Sequence, residues 1–163
     1  DRVTIDYEKG NQAQALLFLG WLASRLQWTP TAYAVEGGDY DLRRVKFVAT
    51  GSGDYDGTER VIEAELAGLP VANAGSIQGD LVGLRLSSTN LQADCCTVLC
   101  SESTGCMRME AAGGAQACHI EQVTPIAERK TEQLLTQQLQ RLGSDALYEE
   151  SLAAVANMLK LRS

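Results

Sequence analysis

The sequence of 163 residues predicts an α+β fold: one mainly antiparallel sheet, an N-terminal helix buried against it and two C-terminal helices packed alongside. Three observations carry that prediction. Short runs that alternate apolar and polar residues, separated by Gly, Asp and Ser clusters, read as strands joined by hairpins. The segment from Asn11 to Trp28 is apolar on nearly every face and too long for a strand. Beyond Thr124, leucines recur at helical spacing. A chain of this length suits one domain, residues 1–163, able to bury its own core. It contains no internal repeat or low-complexity segment, and because it opens at Asp1 rather than at methionine a longer parent protein is expected.

The elements follow in order. Val3 to Tyr7 alternates as a half-buried strand does. The Asn11–Trp28 helix carries Leu16, Leu19, Leu22, Ala23 and Leu26 on one side and Leu17, Phe18, Trp21 and Trp28 on another. It is therefore expected to be covered twice, once by the sheet and once by a second domain or a partner, with Trp21 and Trp28 as core anchors. Thr29-Pro30 is expected to end it, since a residue before proline is pushed out of the helical region. Strands are expected at Arg44–Ala49, Glu59–Ala67, Leu81–Ser87, Gln92–Ser101, Cys106–Ala111 and Ala117–Val123. Thr124-Pro125 reads as a cap and first-turn proline opening a helix through Leu142, with Leu134, Leu135, Leu139 and Leu142 on one face and Gly143 as its stop. Asp145 to Leu159 makes the last helix, with Leu147, Ser151, Leu152, Val155 and Leu159 in a stripe and Glu149 and Glu150 in solvent.

Charge excludes some partners. A formal net charge of −7 repels a phosphate backbone and an anionic lipid surface, so neither nucleic acid nor a membrane is an expected partner. No apolar run has the roughly 20 residues a spanning helix needs, and the expected location is cytoplasmic. The Thr50–Glu59 stretch contains an Asp-x-Asp-Gly fragment like that of a calcium loop, but without the spaced ligands and terminal glutamate it reads as a hairpin loop. Gly51 and Gly53 are flanked by Asp54 and Asp56, which oppose a phosphate.

The chemistry-bearing residues are the five cysteines, all between Cys95 and Cys118. Their odd number leaves at least one thiol free or paired between chains, which argues against a secreted disulfide framework. If Ser101 to Gly105 form a five-residue hairpin loop, Cys100 faces Cys106, Val98 faces Arg108 and Cys96 faces Glu110. Facing positions lie about 4.5–5.5 Å apart, within disulfide range. Cys100 and Cys106 are thus the redox disulfide candidate. In that register Cys96, Cys100, Cys106, Arg108, Glu110, His119 and Glu121 share the outer face, whereas Cys95 and Cys118 point to the core. Arg108 favours a thiolate at Cys106, Glu110 and Glu121 oppose it, and Cys96, Arg108 and His119 form the thiol environment. Three other readings stand beside this one: inert thiols used as small apolar residues, a zinc site without the usual C-x2-C knuckles, and a Cys–His nucleophile using the single histidine.

Two further segments carry a resemblance. Ala15 to Trp28 (ALLFLGWLASRLQW) and Gln137 to Leu161 (QQLQRLGSDALYEESLAAVANMLKL) resemble the opening helix and the end of the C-terminal part of the OpcA family of glucose-6-phosphate dehydrogenase assembly proteins, and the cysteine-rich middle resembles its cyanobacterial branch. The resemblance implies a non-catalytic protein without a cofactor that binds glucose-6-phosphate dehydrogenase, favours its active oligomer and serves the oxidative pentose phosphate pathway. It also implies thioredoxin as a transient partner acting through cysteines. The alternative function is a zinc- or small-ligand-binding regulatory domain.

Overall fold

Why the sheet closes over one helix is visible in β1 (Arg2–Glu8), whose odd positions Val3, Ile5 and Tyr7 are buried while the even ones stay partly exposed. This alternation places one face of β1 in the core and leaves the other for polar side chains. The computed structural model describes residues 1–37, 39–50, 59–70, 78–88, 95–101, 106–112, 119–125, 132, 135–136, 139–140, 143 and 145–162, with 95–101, 106–112 and 119–125 described as backbone.

After β1 come α1 (Ala13–Arg25), β2 (Trp28–Glu36), β3 (Leu42–Thr50), β4 (Glu59–Leu69), β5 (Leu81–Ser87), β6 (Cys95–Ser101), β7 (Cys106–Ala112), β8 (His119–Pro125) and α2 (Ala146–Lys160). Among the described residues the strands form one 8-stranded sheet in the order β2-β3-β4-β1-β5-β6-β7-β8. The first strand is therefore central. It runs parallel to β4 and antiparallel to β5; the other neighbouring pairs are antiparallel. The mainly antiparallel α+β expectation holds, with this one parallel pair added.

The core lies between the sheet and α1. Val3, Ile5, Val45, Phe47, Ile62, Ala64 and Leu66 meet Leu16, Leu19, Leu22 and Ala23, and burying each larger apolar side chain contributes about 1.5–3 kcal/mol. Helix α2 packs on α1, burying Ser151 and Met158. The two backbones approach at Gly20, where a Cβ would lie 2.5 Å from the Ser151 carbonyl oxygen. Asp145 caps α2 by accepting from the Tyr148 N–H at 3.2 Å, and Arg25 pairs with Glu150 across the helices.

Three expected boundaries need correction. The first helix ends at Arg25 with Leu26 as its cap, and Gln27 takes a left-handed φ of 55°, so Trp28-Thr29-Pro30 opens a strand instead of closing the helix. Strand β2 was not expected, because proline reads as a breaker; it is tolerated here at the sheet edge, beside a register shift between Pro30 and Ala32. Thr124 and Pro125 likewise finish β8, the opposite edge, and do not begin a helix. In the following segment Glu132, Leu135, Thr136 and Leu139 are helical and exposed, whereas Leu134 and Leu142 lie outside the described residues. So do Gln92, Ala117 and Cys118, and residues 51–58, on which the expected hairpin loop falls.

Candidate functional site

The cysteine strands β6 and β7 occupy one side of the sheet, two and three strands from β1. In the observed register Ser101 pairs with Cys106, Cys100 with Met107, Leu99 with Arg108 and Thr97 with Glu110. The expected pairs of Cys100 with Cys106, Val98 with Arg108 and Cys96 with Glu110 are each displaced by one residue. The displacement follows from the strand bounds: β6 extends through Ser101 and β7 begins at Cys106, so four residues lie between them instead of five. On a pleated ladder a one-residue displacement exchanges the faces of a strand. Cys96 consequently falls in the row of Leu86 and Val3, on the face opposite the row of Cys106 and Ser101. The expected grouping of Cys96, Cys100, Cys106 and Arg108 on one face is corrected accordingly. His119 pairs with Ala111, itself the partner of Cys96, so positions 96 and 119 share a cross-strand row. The zinc, Cys–His and inert-thiol readings concern side chains outside those described.

A second constellation, absent from the sequence reading, spans the end of β1 and the start of β3 across β4. Arg43, 8% exposed, donates from Nη1 to the Tyr7 hydroxyl at 3.0 Å and to Asp41 Oδ2 at 2.9 Å. The Tyr7 hydroxyl donates to the same carboxylate at 3.2 Å. The Arg43 hydrogen bond holds the Asp41 carboxyl below its ordinary range, while burial raises the Tyr7 phenol. Gly68 permits this packing, since a Cβ there would come 3.1 Å from the Tyr7 hydroxyl. The signal was available: Arg43 has the parity of Val45 and Phe47, so an arginine at an inward strand position requires a partner. Its geometry ties β1 to β3 across β4.

The third feature is an apolar groove between α1 and α2. A cavity of about 340 Å³ is lined by Leu17, Phe18, Trp21, Leu81, Leu147 and Tyr148, and one of about 370 Å³ continues past Leu152 and Leu159. Phe18 and Trp21 stack obliquely with ring centroids 5.5 Å apart, yet Trp21 remains 40% exposed. The two tryptophans thus separate: Trp28 packs 5.7 Å from Phe47 at the core, whereas Trp21 belongs to the groove. Contiguous exposed apolar surface with an aromatic centre suits a protein contact. Among the described residues no helix is long and apolar enough to cross a membrane.

Comparison with known proteins gives concordant matches. The family described as the C-terminal domain of the glucose-6-phosphate dehydrogenase subunit, OpcA, matches residues 1–152. A protein of Nostoc punctiforme called "Putative OxPP cycle protein OpcA" is 60% identical over 162 residues, covering 99% of this chain and 33% of its own length. Proteins of the same description from Synechococcus elongatus and Synechocystis are 55% and 56% identical, over 100% and 99% of this chain. The chain spans about a third of the length of these curated relatives.

Proposed function

The chain belongs to the OpcA family, matching the C-terminal domain of that glucose-6-phosphate dehydrogenase subunit, and from that premise we propose that it is part of a non-catalytic regulator of glucose-6-phosphate dehydrogenase in the oxidative pentose phosphate pathway. The observation that carries this reading is the family match over residues 1–152. The regulator acts in the cytoplasm by binding one state of the dehydrogenase, its active oligomer, more tightly than others. A tenfold preference requires only about 1.4 kcal/mol of differential contact. An exposed groove carrying Trp21 and Tyr148 is compatible with such contact.

Thiol control is part of the proposal. Thioredoxin is the reductant, and Cys100 with Cys106 is the couple to test, with Cys95, Cys96 and Cys118 as the competing thiols. Because the observed ladder pairs Cys100 with Met107, bonding Cys100 to Cys106 requires the β6–β7 hairpin to shift by one residue. Oxidation then rearranges the hairpin as well as closing it.

Dehydrogenase kinetics with and without the intact parent protein test the proposal. Altered dependence on glucose 6-phosphate is expected when the regulator is saturating. An unchanged dependence, together with no co-elution of the two proteins, overturns it.

A further inference from the structure

Strand β4 outruns β1. Their parallel ladder begins at Arg2–Glu63, but β4 itself begins at Glu59. In the same register Asp1 stands opposite Ile62, and three residues preceding Asp1 would stand opposite Val61, Arg60 and Glu59. Asp1 already belongs to the ladder with β4, since its carbonyl accepts from the Glu63 N–H at 2.9 Å, while its terminal ammonium donates to the Ser87 carbonyl of β5 at 3.0 Å. A chain arriving at Asp1 is thereby aimed between β4 and β5.

Space exists there on both faces of the sheet. On the helix side a cavity of about 260 Å³ is lined by Val3, Leu26, Trp28, Ile62 and Leu86. On the other side one of about 430 Å³ is bounded by Val61, Glu63, Ser87 and Ser88. Leu26, the cap of α1, and Val61, near the start of β4, are 52% and 57% exposed at these cavities, so each leaves apolar surface beside the line along which β1 would continue. The relatives are about three times as long as this chain, and the matching family is described as a C-terminal domain.

We propose that in the parent protein the residues immediately before Asp1 continue β1 backwards, pairing in parallel with the first residues of β4 and filling the two cavities. Three residues at about 3.3 Å each reach the start of β4. Period-two alternation then assigns their faces: the residue before Asp1 lies beside Val61, and the one before that lies on the Val3 face, is apolar, and packs against Leu26 and Trp28. The upstream part of the protein is thus joined to the strand that pairs directly with β5, and through it with the cysteine strands. This inference rests on the length of the relatives and the sheet register, and is independent of the dehydrogenase partner.

The test uses the intact parent protein carrying Leu26→p-benzoylphenylalanine, irradiated and mapped by mass spectrometry. Cross-links to the three residues before Asp1 are expected. Cross-links to residues 89–94, to a second copy or to the dehydrogenase, or no cross-link at all, overturn the proposal. A second measurement is amide exchange of the 59–63 segment in the parent and in a variant with prolines at the two positions before Asp1. Uptake should be at least tenfold faster in the variant, with exchange in α1 unchanged; equal uptake in both overturns the proposal.

Discussion

Gly20→Ala sets two physical effects of opposite sign against each other. In a helix interior alanine is better than glycine by about 1 kcal/mol, because glycine loses more backbone freedom on folding. From propensity alone the variant of α1 should be more stable. The structure gives the opposite sign: the new Cβ would lie 2.5 Å from the Ser151 carbonyl oxygen and 2.7 Å from Val155 Cγ2. Close C···O contacts stop near 3.3 Å, so α1 and α2 must separate by about 0.8 Å. A gap of that size forfeits roughly a quarter to a half of each dispersion contact along the interface. Overpacking of this kind costs about 1–3 kcal/mol, and because one obstacle is backbone, which no rotamer change removes, the upper part of that range applies. The net expectation is a loss of about 1–2 kcal/mol. Urea denaturation of the parent protein should show a lower midpoint with an unchanged slope. In a Val155→Ala background the cost of Gly20→Ala should fall without vanishing, since the Ser151 carbonyl remains. A gain of about 1 kcal/mol in either background would refute the close approach of the helices.

Three further expectations follow from the same structure. Asp41→Asn weakens the anchor of Arg43 and should cost about 1.5 kcal/mol at neutral pH, the lower end for a charged hydrogen bond because the carboxylate is partly exposed. As the folded Asp41 carboxyl lies below its ordinary 3.8, its contribution is present above that value and disappears as pH falls through the folded value, so urea midpoints of wild type and variant should converge in acid. Asp6 has the opposite sign: burial, opposed by Arg85 and reinforced by Glu65, raises its carboxyl above 3.8, so stability declines as pH rises through that window. Asp6→Asn should therefore raise the urea midpoint at pH 7 and leave it unchanged in strong acid; a lower midpoint at pH 7 contradicts the burial argument. For thiol control, the parent carrying Cys100→Ser and Cys106→Ser should regulate the dehydrogenase equally under oxidising and reducing conditions, and a persistent redox response in that assay would assign the switch to another pair.

What could be read from the residues, and what could not, divides along physical lines. Strands β3, β4 and β5 were legible because alternation and hairpin punctuation are local, and α2 because Asp145 and a leucine stripe announce it. The end of α1 was not, since its left-handed residue is Gln27, which carries no glycine signal. Strand β2 was hidden by Pro30, whose tolerance depends on occupying a sheet edge, a fact of the assembled sheet. Parallel pairing of β1 with β4 is equally non-local. In the cysteine strands the residues were identifiable but their register was not: a turn of four or five residues fits Ser101 to Gly105 equally well, and that single residue decides which thiols stand opposite. The Tyr7–Asp41–Arg43 cluster was legible in principle, from an arginine at an inward parity, but its carboxylate comes from the connection preceding β3.

The central place of β1 also sets an order of assembly. Val3 pairs with Ala64 and with Leu86, so the pairing of β1 is completed only when much of the chain behind it exists. At about 5–20 residues per second, Leu86 is synthesised roughly 4–17 s after Val3. During that interval Val3, Ile5 and Tyr7 have α1 as an early local partner, gain β4 only in its later part and lack β5 throughout. Such long-range closure raises contact order and slows folding relative to a chain of local hairpins. Nascent chains halted before Leu86 should accordingly be more susceptible to proteolysis around β1 than chains halted after Ser87, even though β1 itself has long been complete.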